Sequence, residues 1–565
     1  MGALGAFTFV LHSHLPYARL AGRWPHGEEW LHEAASETYI PLLQTLYDLK
    51  EAGVNFRLTI GITPVLGEQL ADADVIEHFD QYLDTKIESA KKDIIYFAEP
   101  ETADEHLGQL AAWYKNWFEG IKNAFDARFH RDIIGAFREL QDEGFIEIIT
   151  CAATHGYLPL LGRDSSINAQ IKMGVRSYER LFGRAPRAIW LPECAYRPAY
   201  FEGGHERPGL ETFLAENNLK LFFSETHTIT GGQPVGIAAG DVIGPYGAIK
   251  RRYVIPSSLT QTAPERKTTT YDAYYVSNTI AGPKAEEHSG VSVIGRNNRT
   301  GQQVWSAETG YPGDPDYREF HKKAGTSGLQ YWRVSGPGVD LGFKDYYYPE
   351  WAAAKVDQHA EDFAHLVDDL LRKHHTETGQ FGLISSNYDT ELFGHWWFEG
   401  ISWLGKVLQF LANDAEVELT TASTYLEAHP PTEVLHLPES SWGSAGSHFT
   451  WDNPDTHWMW SPIHEAEERM EKIVARYPQA TPEEHVVLSQ TARELLLLQS
   501  SDWPFLVTTG QAREYSIRRF SQHIERFDKL AESLEKEVPN VELANEFWEL
   551  DKVFPDIDYR WFAER

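Results

Sequence analysis

The sequence predicts an α/β protein: a parallel barrel whose site lies at the C-terminal ends of its strands. Three observations predict it. Short apolar runs recur along the first two thirds of the chain, each separated from the next by a helical stretch. Each run ends in histidine, acidic or aromatic residues where a strand would stop, the position at which barrel enzymes carry their chemistry. No Gly-x-Gly-x-x-Gly turn is present to support the competing layout, an open doubly wound sheet around a nucleotide.

Residues 6–11 form the first buried strand and deliver His12-Ser13-His14. A His-x-His pair there can bind a metal, position a sugar hydroxyl or sit hydrogen-bonded in the core. A helix over 33–50 puts Leu42, Leu43, Leu46 and Leu49 on one face. Residues 56–61 are the second strand. The stretch 68–140 is helical almost throughout, too much for one crossover, so 70–132 is expected to be an inserted helical subdomain. Residues 146–151 are the third strand, which also leads to a histidine, His155. A helix over 168–182 stops at Gly183, ahead of the strand 188–191 and Pro192-Glu193-Cys194. Residues 220–224 repeat the layout. Residues 228–290 are irregular, and a loop of that length is usually functional or disordered. Residues 291–295 are a short strand ending in Arg296, with an aromatic, turn-rich patch over 303–314. Residues 381–384 are the last barrel strand, and the polar run from Ser385 to Trp397 begins where it stops. From 402 onward helices dominate (403–411, 421–428, 465–477, 482–499, 508–531 and 541–551). Between them a loop over 439–460 holds Trp442, Trp451, Trp458 and Trp460.

Asp389 and Glu391 stand among aromatic rings. An apolar rim desolvates a carboxylate and raises its pKa, which keeps a general acid protonated near neutral pH. Asp389 taken alone reads equally well as a helix N-cap, and Ser501 or Asp502 likewise as caps. Glu193 shifts the balance. Two carboxylates at two strand ends are the minimum for glycosidic bond chemistry, about 5–5.5 Å apart in retaining enzymes. The surrounding rings suit the C–H faces of sugars.

At 565 residues, with 42% hydrophobic and 24% charged residues, the chain has the composition of a globular protein of several domains. A net charge of −32 argues against nucleic acid as a partner and fits a neutral polymer. Trp 18 and Tyr 26 are high counts, and their concentration near strand ends fits carbohydrate. Only Cys151 and Cys194 are present, too few for a disulfide framework. The first residues lack a basic segment and read as a strand, and no run has membrane-spanning length, so a cytoplasmic protein is expected, without membrane association.

Five segments, in order, resemble the conserved regions of glycoside hydrolase family 57. They are His12–Tyr17 (HSHLPY), Ala153–Tyr157 (ATHGY), Trp190–Tyr196 (WLPECAY), Tyr388–Trp397 (YDTELFGHWW) and Ser500–Phe505 (SSDWPF). The similarity is greatest to the family's 1,4-α-glucan branching enzymes, beside α-amylases and 4-α-glucanotransferases. The resemblance implies a (β/α)7 barrel over 1–69 and 133–401, the inserted helical subdomain 70–132 and a helical C-terminal domain 402–565. It implies a retaining double displacement with Glu193 as nucleophile and Asp389 as acid/base, no metal and no cofactor. His12 and His155 would line the donor subsite. Arg296, Gly313, Trp442, Asp502 and Gln511 match glucan-contacting positions, and Trp305 and Trp451 resemble further ring platforms. His395 and Trp396, within the fourth segment, are also taken as substrate-binding. The stretch near 250–270 is longer than the family pattern, and one of Tyr271, Tyr274 and Tyr275 is expected at the tip of a loop over the site. That loop and the C-terminal tryptophans would exclude water and hold the acceptor. The substrate implied is an α-1,4 glucan, and the protein is expected to act as a monomer. A metal-dependent polysaccharide deacetylase or mannosidase needs a third ligand not visible at comparable strength, and a non-catalytic glycan-binding protein would not need intact Glu193 and Asp389.

Overall fold

The computed structural model describes residues 2–234, 260–280, 287–306 and 309–565. Strands are numbered in chain order: β1 (Gly5–Ser13), β2 (Leu58–Ile62), β3 (Ile146–Cys151), β4 (Ile189–Trp190), β5 (Leu221–Ser224), β6 (Ala273–Ser277), β7 (His288–Gly295), β8 (Gly382–Asp389), β9 (Val417–Leu419) and β10 (Val434–Leu435). One parallel sheet runs β8–β1–β2–β3–β4, with β9 pairing the first residues of β1. A second runs β10–β6–β7–β5, with β5 and β7 parallel and β6 antiparallel to β7. The two meet at both ends. Ala188 bridges Leu221 in parallel, and Asn297 N–H donates to Ser385 O at 2.9 Å. β1 is buried at every position, the pattern of a parallel strand covered on both faces.

The last strand is longer than the sequence suggests. β8 continues through Ser385-Ser386-Asn387-Tyr388 to Asp389, all but Asp389 buried. Polar side chains of this run bond inside the sheet: Ser385 Oγ donates to Asn387 Oδ1 at 2.6 Å and Ser386 Oγ to Thr300 Oγ1 at 2.7 Å. Phe7, Phe9, Phe363 and Trp403 pack edge-on and stacked beneath it.

The segment 70–132 holds the helices Ala73–Tyr96 and Glu105–Asn123, N-capped by Asp72 and Asp104. Their buried stripes, Val75, Phe79, Leu83 and Ile87 on one and Leu107, Leu110, Tyr114, Phe118 and Ile121 on the other, follow helical spacing, and the two helices pack together. Beyond residue 402, β9 and β10 hydrogen-bond into the sheets, and the wholly helical part begins at Trp460 with Trp460–Arg476, Pro482–Leu498, Asp502–Thr509, Arg513–Glu535 and Val541–Leu550. The helix expected over 508–531 is two helices, because Gly510 takes φ 79° and ends the first. The patch expected over 303–306 is instead the end of the helix Asn298–Trp305, capped by the Asn297 side chain.

The tyrosines expected at a loop tip are placed otherwise. Tyr274 and Tyr275 lie in β6, and Tyr271 stacks on His374 at 4.4 Å between ring centroids. Much of the long segment, 235–259, lies outside the described residues. Among the described residues no helix is long and apolar enough to cross a membrane.

Candidate active site

The C-terminal ends of β1, β3, β4 and β8 open on a cavity of about 290 Å³. Register explains the convergence. β1 and β8 pair in parallel with His12 opposite Asp389, so the first histidine and the second carboxylate leave the sheet side by side. Glu193 follows β4 in a tight turn at φ 60°, ψ 26°, and Cys194 follows at φ 48°. His155, after β3, has φ 58°. Left-handed backbone in non-glycine residues costs about 1–3 kcal/mol each and persists where the surroundings demand it. Here it aims Glu193 and His155 into the cavity they line.

Glu193 is held by two donors. Trp442 Nε1–H donates to Oε2 at 2.7 Å, and Ser501 Oγ–H donates to Oε1 at 3.4 Å. Trp442 N–H also donates to the Glu193 carbonyl at 3.1 Å. Burial raises the Glu193 pKa to about 7, against the pull of the Trp442 hydrogen bond, and the nearby charge of Asp389 adds to the rise. Asp389 is likewise raised to about 7 by burial, with the cations His14 and Arg296 opposing. Glu391, two residues on, is raised to about 8 by burial. Its Oε1 accepts from Tyr39 OH and from the His14 backbone N–H, the latter at 3.2 Å.

Three imidazoles form the floor. His14 and His155 stack with centroids 3.8 Å apart, and His12 stacks on Trp190 at 4.9 Å. His14 Nε2 meets Asp502 Oδ1 at 2.9 Å, while its Nδ1 meets Thr63 Oγ1 at 3.1 Å. Burial alone would lower the His14 pKa, but the Asp502 carboxylate reverses the sign and raises it. His12 and His155 are pushed well below the ordinary value by burial and by the charge of His14, so both are neutral. His12 Nε2 faces His155 Nε2 at 3.0 Å. Both ring nitrogens of His14 are thus engaged by protein groups. Among the described residues, the one cluster that gathers three metal-type donors is Glu494, His523 and Asp551, buried between C-terminal helices. Arg526 already pairs Asp551, and Arg519 donates to His523 Nε2 at 3.1 Å, so that cluster is an ion-pair network.

The cavity wall contains Trp305, His395, Trp396, Trp442, Trp451, Asp502 and Gln511 together with His12, His155, Glu193 and Asp389. Trp451 is buried and stacks on Tyr157 at 4.4 Å. His395 Nδ1 lies 3.3 Å from Glu37 Oε2. Two expected residues do not line it. Arg296 sits behind, its guanidinium paired with Glu225 at 2.9 Å, and acts on Asp389 through its charge. Gly313 is exposed in the turn Tyr311–Gly313. The cavity also takes His14, Trp30, Glu391, Thr450 and Phe505, which sequence reasoning did not select as site residues. His14 was visible in the first motif, Glu391 in the fourth and Phe505 in the fifth, whereas Trp30 and Thr450 carry no local signal and are brought in by tertiary packing.

The model of glycosyl hydrolase family 57 matches residues 8–438. The chain belongs to this family. The model of the 1,4-alpha-glucan branching enzyme C-terminal region matches residues 462–562. A 1,4-alpha-glucan branching enzyme of Thermococcus kodakarensis is 44% identical over 560 residues, spanning 97% of this chain and 77% of that protein. The crystal structure of a family 57 branching enzyme of Thermococcus kodakaraensis in complex with glucose superposes with a TM-score of 0.88 at 43% identity, over 100% of this chain and 97% of that one. The alpha-amylase AmyC of Thermotoga maritima superposes with a TM-score of 0.80 at 31% identity, over 100% of both chains. Family 57 membership and the two-carboxylate cavity point to the same bond, the glycosidic one.

Proposed function

We propose that this chain is a 1,4-α-glucan branching enzyme working by retaining double displacement. Glu193 attacks the anomeric carbon of an α-1,4 glucan while Asp389 protonates the departing oxygen, which leaves a glycosyl ester on Glu193. Asp389, now ionised, takes the proton from the 6-hydroxyl of an acceptor glucan, whose oxygen displaces Glu193 and forms an α-1,6 branch. The observation that carries the assignment of roles is the asymmetry of the pair. Glu193 receives the Trp442 and Ser501 hydrogen bonds, which favour its anion, while burial lifts Asp389 further from its ordinary value, from 3.8 to about 7 against 4.5 to about 7 for Glu193.

In this reading β1, β2, β3, β4, β5, β7 and β8 form a seven-stranded barrel, supported by the Ala188–Leu221 bridge and the Asn297–Ser385 hydrogen bond. The helices of 70–132 are its insertion, and β9 and β10 extend the barrel unit to about residue 438, where the family match also ends. His12, His155, His395, Trp305, Trp396, Trp442, Trp451, Asp502 and Gln511 bind the glucan, and Arg296 tunes Asp389 from behind. The enzyme acts as a cytoplasmic monomer; its two free, buried cysteines support a reducing compartment.

The test is incubation with amylose, then enzymatic debranching and chain-length analysis. New α-1,6 linkages are expected. Shorter linear chains alone would make it an α-amylase, in keeping with its likeness to AmyC, and longer linear chains a 4-α-glucanotransferase.

A further inference from the structure

The C-terminal helical region reaches the nucleophile at one hydroxyl. Ser501 stands at the start of the helix Asp502–Thr509, and its backbone N–H donates to the His155 carbonyl at 3.1 Å. A further antiparallel bridge joins Gly156 to Ser500. These contacts place Ser501 Oγ 2.8 Å from His155 Nδ1 and 3.4 Å from Glu193 Oε1. His155 Nε2 in turn faces His12 Nε2 at 3.0 Å. Four groups therefore form one chain of contacts, and each neutral member has a single proton to give along it.

We infer that Ser501 is a positioning residue for the nucleophile, ending a one-way hydrogen-bond relay from His12 through His155 to Glu193. The inference rests on the reading of Glu193 as nucleophile. Its direction follows from counting protons. If Ser501 donates to the carboxylate, its oxygen accepts from His155 Nδ1–H. His155 Nε2 is then bare and accepts from His12 Nε2–H, which leaves His12 Nδ1 bare. The opposite direction puts a proton on His12 Nδ1 and strips Glu193 Oε1 of its donor. His12 Nδ1 is buried and has no hydrogen-bond partner. An orphaned buried N–H is rarer in folded proteins than an unpaired acceptor, so the opposite direction carries two faults where the relay carries one bare lone pair. Both imidazoles are neutral, as the relay needs; the charged group stacked on them is His14, held by Asp502. The remaining charges that act on Glu193 are those of Asp389, His14 and Asp502.

The relay joins parts matched separately as the family 57 region and the branching-enzyme C-terminal region, since Ser501 belongs to the second and its three partners to the first. Docking of the helical region thus completes the nucleophile's surroundings.

Two measurements test it. Heteronuclear NMR of the wild-type protein with nitrogen-labelled histidine reads the tautomers. His12 protonated at Nε2 and His155 at Nδ1 are expected; His155 protonated at Nε2 overturns the relay. In the second, Ser501→Ala and Ser501→Thr are compared on amylose by total α-1,4 cleavage, hydrolysis plus transfer. Loss of a hydrogen bond to a charged group predicts that Ser501→Ala lowers kcat about 10- to 100-fold, with KM little changed. The loss should deepen as pH falls, and Ser501→Thr should recover most of it. An unchanged kcat, a loss confined to KM, or a pH-independent loss shared by the threonine variant overturns the inference. The α-1,6 linkages counted in the same wild-type digests report on branching separately, so either idea can fail while the other stands.

Discussion

Trp442→Phe separates the two services of one indole. The ring walls the cavity and packs on Trp190 at 5.1 Å, while Nε1–H donates to Glu193 Oε2 at 2.7 Å. Phenylalanine keeps a ring and removes the donor. A hydrogen bond to a charged acceptor contributes about 1.5–3 kcal/mol, roughly twice a neutral one. The part specific to the Glu193 anion is therefore about 1–1.5 kcal/mol, which raises the Glu193 pKa by about one unit. Glu193 and Asp389 both sit at about 7, so the productive form, with one proton and that on Asp389, becomes scarcer wherever Glu193 is partly protonated. Activity should fall about tenfold near pH 5 and about fourfold at the optimum, and hardly at all above about pH 9. The optimum should move up by about half a unit. The assay is the pH dependence of kcat/KM for amylose cleavage, wild type against variant. A loss of constant size from pH 5 to 9 would mean that the indole serves only as a sugar platform, and the electrostatic role given to it would be wrong.

Glu193→Gln should abolish turnover, and Asp389→Asn should lower kcat about 10²- to 10⁴-fold, the usual worth of a general acid; reducing-end release from amylose measures both, and near-normal rates in either would remove it from the chemistry. Asp389→Asn should also stabilise the fold at alkaline pH. The folded pKa of Asp389 is raised from 3.8 to about 7, so its favourable contribution is complete below about pH 4 and is lost as pH rises through 7. Removing the buried charge is worth up to about 4 kcal/mol at pH 8. For a chain of this size that is about 3 °C in Tm, readable by calorimetry, and the gain should vanish at pH 4; a gain independent of pH would contradict the burial argument. Asp502→Asn frees His14 from the carboxylate that raises its pKa. The cation facing Glu193 and Asp389 is then weakened, and because His14 acts on Glu193 more strongly than Asp502 does, the acid limb of the rate profile should move to higher pH; a limb moved to lower pH, the effect of losing the Asp502 charge alone, would show that His14 is neutral. Dialysis against a chelator should leave amylose cleavage intact, because both nitrogens of His14 are bound by Thr63 and Asp502; activity lost and then restored by zinc would reverse that expectation.

The two carboxylates of the cavity, Glu193 and Asp389, were legible because parallel strands present chemistry at one end only, so a carboxylate just past an apolar run falls at that end whatever the loops do. Asp389 illustrates the limit. Its strand looked finished at Ile384, because Ser385, Ser386 and Asn387 are polar, yet those side chains bond to one another and to Thr300 within the sheet. Period and hydropathy do not reveal a polar group satisfied by a distant partner. The same holds for Ser501, whose local pattern is that of a helix cap and whose side chain instead bonds across 308 residues to Glu193. Gly313 was named only because it matches a glucan-contacting position of the family, and no local pattern told that the glycine faces solvent outside the cavity.

In the proposed mechanism branching and hydrolysis share their first half, so a glycosyl ester on Glu193 cannot decide between them; the second half is a contest between a sugar hydroxyl and water. Bulk water is present at about 55 M, while a well-positioned reactant reaches an effective molarity of about 10⁵ M or more. An acceptor glucan held in the correct pose therefore outcompetes water by about three orders of magnitude even if water enters freely. A chain that finds no such hold loses to water by the ratio of ordinary concentrations. Transfer thus depends chiefly on rings that grip a second glucan near Asp389, and only secondarily on a lid. Trp305 and Trp396 come to the cavity from the sheet region, and Trp442 and Trp451 from the loop that precedes the helical region. Trp305→Ala and Trp396→Ala should therefore raise hydrolysis relative to α-1,6 transfer while total cleavage falls less. Equal losses in both products would move these indoles from the acceptor to the donor side of the site.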